Sequence, residues 1–339
     1  MEKIIATFLR FAEQEAQGKS PIYAYWCRQI VTNEPLLNLI SHIPPTQPKP
    51  NLFFASVQHL AMQKETPLKQ VFDKPQDANL EQSFQLLIAF CAEYQQELLQ
   101  LFQTKLVQTN EVQRASYLYP LLSEISAQAK KPLTLIEIGT SAGLLLNVDH
   151  YHYSIHQGET ITLGDQTSPL TLQAKNLGEP IVFTQKPIIQ NRIGIDLNII
   201  NLHDEAQYQW LQSLIWPELI ERKVNLAIAR RIHQQCEKQL LTGDFTALLP
   251  KLLVDEAYKA TQIVIFHTHV ANQFPTQLKA DLLELLAQMS NQHSIYHIYN
   301  NIYDADLHVD FINQGVTQSK KTLQQTDGHG KYFYWKHGL

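Results

Sequence analysis

Glu137, Gly139, Ser141 and Gly143 stand within one short stretch, Leu133 to Asn147, which reads LTLIEIGTSAGLLLN. Small residues this close together let a chain reverse sharply and let a ligand come up against its backbone. The apolar run before them (Leu133, Leu135, Ile136, Ile138) predicts a strand, and the apolar pattern after them predicts a helix. Strand, tight turn and helix form the nucleotide-side corner of a doubly wound α/β sheet. A dinucleotide wants G-x-G-x-x-G, but Ser141 holds the second glycine's place and no glycine stands at the third. NAD is disfavoured for that reason, and no GxxxxGK followed by Ser or Thr is present to make a P-loop.

S-adenosylmethionine makes a different demand. Lacking phosphate, it needs a close backbone approach for its methionine portion, a carboxylate at the next strand end for its ribose diol, and mixed contacts for its adenine. Candidates occur in that order. Glu137 to Gly143, EIGTSAG, resembles the first methyltransferase motif, E-x-G-x-x-x-G. Gly139, Thr140, Ser141 and Gly143 would shape the methionine side, with Glu137 supporting the turn. Asp196, followed by Leu197, ends a second predicted strand and would hold the ribose hydroxyls. Gly243-Asp244-Phe245 resembles the Gly-Asp-apolar element after the third strand, with Asp244 and Phe245 toward the adenine. His267-Thr268-His269 follows the fourth strand, where methyltransferases place residues near the transferred methyl. Singly, each has an ordinary explanation: glycine after a strand makes a turn, and an acid at a strand end caps a helix. The ordered set favours the cofactor.

The polar segment Gln108 to Arg114 opens a predicted helix from about 110 to 129. One reading is a cap, with Thr109 or Asn110 as cap residue and Glu111 in the first turn. The other lays it over the sheet's carboxyl edge, where Asn110 and Arg114 orient a substrate and Glu111 serves as general base. His267 is a second catalytic candidate and His269 a substrate contact.

GTSAG also satisfies G-x-S-x-G, the nucleophile elbow of α/β-hydrolases, with Ser141 as nucleophile, Asp255 as third member and His329 as base. The upstream region is helical and has no HGGG-like loop, so this is the lesser alternative. The pairs His150-x-His152 and His267-x-His269 invite a metal, but no third ligand stands at a recognisable spacing.

The surrounding elements must position these groups. Residues 1–128 predict a helical cap region, punctuated by Gly18, Ser20-Pro21 and the proline cluster Pro44 to Pro50. From 129 to 339 strands (133–138, 192–196, 262–268, 294–299) alternate with helical patterns (204–238, broken near Trp216-Pro217; 246–259; 275–291), as in a parallel sheet with helices on both faces. Residues from about 150 to 190 read as an inserted β-hairpin region, with strands at 151–155, 160–163 and 181–183. Two tail strands follow, at 307–312 and 331–335, joined by the turn-like segment Asp327 to Gly330.

A hydrophobic content of 44% against 17% charged residues gives a globular chain. The net charge of −5, without aromatics interleaved with Lys and Arg, argues against nucleic acid as a partner. Cys27, Cys91 and Cys236 lie far apart and read as buried thiols of a reducing cytosol. No apolar run reaches the roughly 18 residues of a membrane helix, and MEKIIATFLRF shows no h-region and no cleavage site, so no signal peptide is expected. The expectation is a soluble cytoplasmic protein with a small-molecule substrate.

Gln108 to Leu122 (QTNEVQRASYLYPLL) with Ile136 to Tyr153, and the later RIGIDLNIINLHD, WLQSLIWPELIER and TGDF segments, are similar to a bacterial family known as a domain of unknown function. The resemblance spans most of the chain. It implies a Rossmann-like, methyltransferase-type doubly wound sheet behind an N-terminal helical region, and names no substrate. The expected function is S-adenosylmethionine-dependent methyl transfer. A non-catalytic nucleoside- or S-adenosylmethionine-binding protein and the Ser141 hydrolase are the alternatives.

Overall fold

Capped and proline-started helices build the first part of the chain. The computed structural model describes residues 1–183, 185–253 and 258–339. Its contacts divide these into two compact units, residues 1–109 with 203–226, and residues 110–202 with 227–339. The division therefore falls earlier than residue 128, and 203–226 goes with the helical unit.

In the helical unit, α1 (Glu2–Arg10) runs through a π-turn and stops where Gly18 takes φ +75°. α2 (Pro21–Ile30), α3 (Glu34–Ser41) and α6 (Leu80–Glu93) each start on a side-chain cap, from Ser20, Asn33 and Asn79. α4 (Lys49–Gln63) is buried continuously from Leu52 to Leu60, so it forms the centre. α5 (Pro67–Asp73) and α7 (Gln95–Thr104) complete the first segment. Aromatic rings fill the interior: Tyr23 stacks on Phe54 at 4.2 Å, and Trp26 meets Phe72 edge-on. The second segment carries α9 (Glu205–Ser213) and the start of α10 (Ile220–His233). It is tied in by Gln58 Nε2 donating to the Ile215 carbonyl and by Glu218 accepting from Ser20 Oγ and Ile22 N.

In the other unit, α8 (Ala115–Ala129) precedes a seven-stranded sheet. Its strands are β1 (Leu133–Ile138), β5 (Ile189–Asp196), β6 (Gln239–Thr242), β7 (Gln262–His267), β8 (Ile295–Tyr299), β9 (Leu307–Asn313) and β10 (Val316–Leu323). The spatial order is β10-β9-β8-β7-β1-β5-β6. β1, β5, β6, β7 and β8 are parallel, while β9 and β10 are antiparallel additions. The chain moves outward from β1 to β6 and then returns to the other side of β1 through β7. The α/β expectation holds at that level, and the strand order reverses between β1 and β7. Ile136, Ile138, Ile193, Ile195, Ile263 and Ile265 line one face against α11 (Phe245–Leu252) and α12 (Thr276–Met289).

Four expected features change. No α-helix follows the glycine turn; Leu145–His150 is only a 3-10 segment with Asn147 out of helical geometry. Tyr151 OH, Arg192 Nε and Tyr153 OH bond the carbonyls of Leu144, Leu146 and Val148, holding the segment in another form. The insertion supplies three strands of a four-stranded sheet, in the order β11 (Tyr332–Phe333), β4 (Thr171–Asn176), β2 (His152–Gln157) and β3 (Glu159–Gly164), rather than hairpins alone. β2 (His152–Gln157) and β3 (Glu159–Gly164) form the expected hairpin, and β4 (Thr171–Asn176) pairs parallel to β2. Residues 181–183 are not a strand: an Asn176-centred turn accepts from Gly178 N and donates to the Glu179 carbonyl. Finally, the strand expected at 331–335 is the two-residue β11 (Tyr332–Phe333), joined to β4, and β10 had no apolar signal. The C-terminal half of the helix expected at 246–259 lies partly outside the described residues.

No helix among the described residues is long and apolar enough to cross a membrane. Cys27, Cys91 and Cys236 are free thiols.

Candidate functional site

The carboxyl end of β1 is built around a buried acid. Side chains alternate along a strand, so Glu137 faces away from Ile136 and Ile138. Opposite it on β5 stands Gly194, where a Cβ would come within 2.6 Å of Thr140 Cγ2. That missing side chain makes room for Thr140 Oγ1 to donate to Glu137 Oε2 at 2.6 Å. Burial pushes the Glu137 carboxyl up to about 8; the Asp196 charge adds to this, while the Thr140 hydroxyl and Arg114 oppose it.

The turn leaves the sheet in left-handed steps. Gly139, Ser141 and Gly143 have φ of +72°, +54° and +73°. A Cβ on Gly139 would meet Val270 at 2.6 Å, so that glycine is required sterically as well, whereas one on Gly143 would meet only the end of the Leu240 side chain at 2.9 Å. Ser141 adopts this region with a side chain, a local strain of the kind found at functional sites. Gly139 N and Thr140 N donate to the Ile195 carbonyl, and Ser141 N donates to Asp196 Oδ2 at 2.8 Å. Asp196 Oδ1 accepts from Asn198 N at 3.0 Å. The carboxylate is thus fixed by two backbone donors while remaining partly exposed. Leu197 beside it is 77% exposed, a large apolar side chain left to solvent.

Two buried polar atoms at this turn, Ser141 Oγ and Asn110 Oδ1, have no hydrogen-bond partner among the described residues. Asn110 Nδ2 donates to the Thr140 carbonyl at 2.8 Å. Arg114 reaches the next strand end, with Nη1 3.3 Å from the Thr268 carbonyl and Nε 2.9 Å from the Gly328 carbonyl. The polar segment therefore lies along the carboxyl edge, joined to the residues just after β1 and β7. Capping also occurs, but by Glu111 itself, which accepts from Gln113 N at the head of a short 3-10 turn. His269, in the left-handed region at φ +65°, has its backbone N bonded to Asn300 Oδ1 and its ring 3.2 Å from Asn300 Nδ2. Burial pushes its imidazole down to about 4, helped by the charges of Arg114 and His329.

Other predicted residues go elsewhere. His267 follows Ile263 and Ile265 in alternation onto the α12 face, fully buried beside His297 and Tyr299. Burial pushes it down to about 3, and neither ring nitrogen has a partner among the described residues. Phe245 is in the core, stacked on Phe274 at 5.5 Å. Asp244 is exposed at the end of β6 and caps α11 by accepting from Thr246 N at 2.8 Å. For the hydrolase arrangement, Ser141 Oγ has no base bonded to it, His329 Nδ1 pairs with Glu111, and Asp255 lies outside the described residues. His150 stands beside Asp149 and Arg192, and His152 beside Thr171. Among the described residues no three His, Cys, Asp or Glu side chains gather as a metal would need.

Two contributors escaped the sequence reading. Gly194 carried a signal, as the small residue two before Asp196 on the same strand face. Asn300 carried none, because its bonds to His269 depend on the pairing of β7 with β8.

No curated protein and no solved structure matches the chain. Over residues 5–335 it matches the family described as "Uncharacterized protein conserved in bacteria (DUF2332)", and the chain belongs to that family.

Proposed function

We propose that this chain has a Rossmann-like methyltransferase core, binds S-adenosylmethionine at the carboxyl ends of β1 and β5, and directs its methyl group to a small-molecule acceptor. The observation that carries this reading is the Asp196 carboxylate, held by Ser141 N at 2.8 Å directly beside the left-handed turn. An ionised carboxylate offers about four lone-pair sites. The two backbone donors leave capacity for the two hydroxyls of a ribose.

The neighbouring groups fit the rest of the ligand. Asn110 Oδ1 and Ser141 Oγ are buried polar atoms in want of partners, the first suited to accept from the ammonium and the second to donate to the carboxylate of an amino-acid moiety. Leu197 offers an exposed apolar surface to a purine face, and Asp244 a carboxylate at the adjoining strand end. Phe245 would support that end from the core rather than touch the ring. Bound there, the cofactor supplies an electrophilic methyl carbon on a sulfonium sulfur. The chain's own part is to orient, to hold charge and to exclude water.

Calorimetry with S-adenosylhomocysteine tests this. Micromolar binding by the wild type, weakened at least tenfold in Asp196→Ala, is expected. No binding by well-folded protein would remove the cofactor. Binding without any S-adenosylhomocysteine formed from S-adenosylmethionine and a broad small-molecule extract would instead favour the non-catalytic binding protein.

A further inference from the structure

The methyl-transfer reading leaves one pair of side chains unused. Glu111, 4% exposed, has Oε2 3.3 Å from Nδ1 of His329, which is 43% exposed. The pair is fixed from both sides. His329 rides on a turn whose Asp327 carboxylate accepts from His329 N and Lys331 N, and the Gly328 carbonyl accepts from Arg114 Nε. Gly330, at φ +78°, lets that turn press against the Glu111 segment, since a Cβ there would stand 2.4 Å from the Gln113 carbonyl oxygen. The same segment reaches Thr140 after β1 through Asn110, and Thr268 after β7 through Arg114. The pair therefore stands at the point where the strand order reverses, the usual ligand crevice of an open α/β sheet.

A buried carboxylate against Nδ1 holds the imidazole proton there and leaves Nε2 as the basic atom. His329 Nε2 makes no hydrogen bond to the described residues. We propose that Glu111 and His329 form an acid–base pair in which Nε2 accepts the proton of a hydroxyl- or amine-bearing methyl acceptor. This rests on the methyl-transfer reading. His329 is the catalytic residue, and Glu111, which acts through it, is a positioning residue. As the acceptor's lone pair bonds to the methyl carbon, the carbon–sulfur bond breaks and its electron pair stays on sulfur. The acceptor's O–H or N–H bond returns its pair to the oxygen or nitrogen, and the proton passes to Nε2. The positive charge that began on sulfur ends on an imidazolium beside the Glu111 carboxylate.

Three measurements test this in the full chain. By ¹⁵N NMR, the neutral His329 ring carries its proton on Nδ1 in the wild type and shifts toward Nε2 in Glu111→Ala. The same tautomer in both proteins would overturn the pairing. S-adenosylhomocysteine affinity in His329→Ala stays within about twofold of wild type, because the base serves the acceptor; a tenfold loss would move the ring into the cofactor site and overturn its role. Transfer from methyl-labelled S-adenosylmethionine into a bacterial small-molecule extract falls about 100-fold in His329→Ala, the lower end for a lost general base, and is partly restored by added imidazole. Equal transfer by wild type and His329→Ala overturns the base alone. No transfer by the wild type overturns it together with methyl transfer.

Discussion

The interior of the helical unit and the carboxyl edge of the sheet differ in how they treat backbone strain. In the helical unit, Trp26 Nε1 donates to Ser83 Oγ and Tyr23 OH to Gln58 Oε1, while Ser56 Oγ and Thr66 Oγ1 are buried without a partner among the described residues. Among the described residues of that unit, left-handed backbone occurs only at Gly18, where a Cβ would have nothing within 4 Å. At the sheet edge, left-handed steps fall at Gly139, Ser141, Gly143 and His269, and Ser141 Oγ and Asn110 Oδ1 are buried without partners. The edge combines left-handed backbone with buried polar atoms that lack partners, a combination the proposed ligand site would use.

Mutations can break this contrast, beginning with the largest effect. Phe54→Ala empties the aromatic centre, where Phe54 is 1% exposed and stacked on Tyr23. It should cost about 4 kcal/mol in urea unfolding. Ligand affinity at temperatures where the protein stays folded should be unchanged. Gly139→Ala combines a left-handed φ with a 2.6 Å approach to Val270, and should cost about 3 kcal/mol. Unlike Phe54→Ala, it should also abolish binding of S-adenosylhomocysteine in calorimetry.

Two buried groups give the sheet unit opposite responses to pH. His267 folds neutral, with its imidazole down at about 3 against an ordinary 6.5. The unfolded chain protonates first, so the stability His267 contributes is full above 6.5 and is lost as pH falls toward 3. Glu137 also folds neutral, but its carboxyl is raised from 4.5 to about 8. Its contribution is full below 4.5 and is lost as pH rises toward 8. Glu137→Gln is neutral throughout and should gain about 3 kcal/mol relative to wild type between acid and alkaline urea titrations. An equal effect at both ends would mean that the acid is ionised in the folded protein. The smallest effect is expected at Gly18→Ala, with the same sign of φ as Gly139 but open space around it. About 1 kcal/mol in thermal unfolding, and no change in binding, would show that crowding rather than φ alone separates the two regions.

What the sequence disclosed follows the same division. The strand 133–138, the left-handed potential of GTSAG and the acid ending β5 were legible because they rest on neighbours in the chain. The break between α9 and α10 at Trp216-Pro217 was legible for the same reason. β4, reading TLQAKN, was hidden because only small or single apolar residues mark its buried face. β10, reading VTQSKKTL, was hidden because an edge strand needs little apolar content. The helix expected after the turn failed through side-chain bonds to its carbonyls, from Tyr151 and Tyr153 just downstream and from Arg192 on β5. The pairing of Glu111 with His329 spans 218 residues, and no local pattern announces it.

Hydrogen exchange with and without saturating S-adenosylhomocysteine tests the contrast most directly. Slowed exchange in peptides spanning 139–143 and 196–198, with none in residues 1–109, is the result expected of a ligand site at the carboxyl ends of β1 and β5. Unchanged exchange at those peptides, or protection confined to the helical unit, would contradict it.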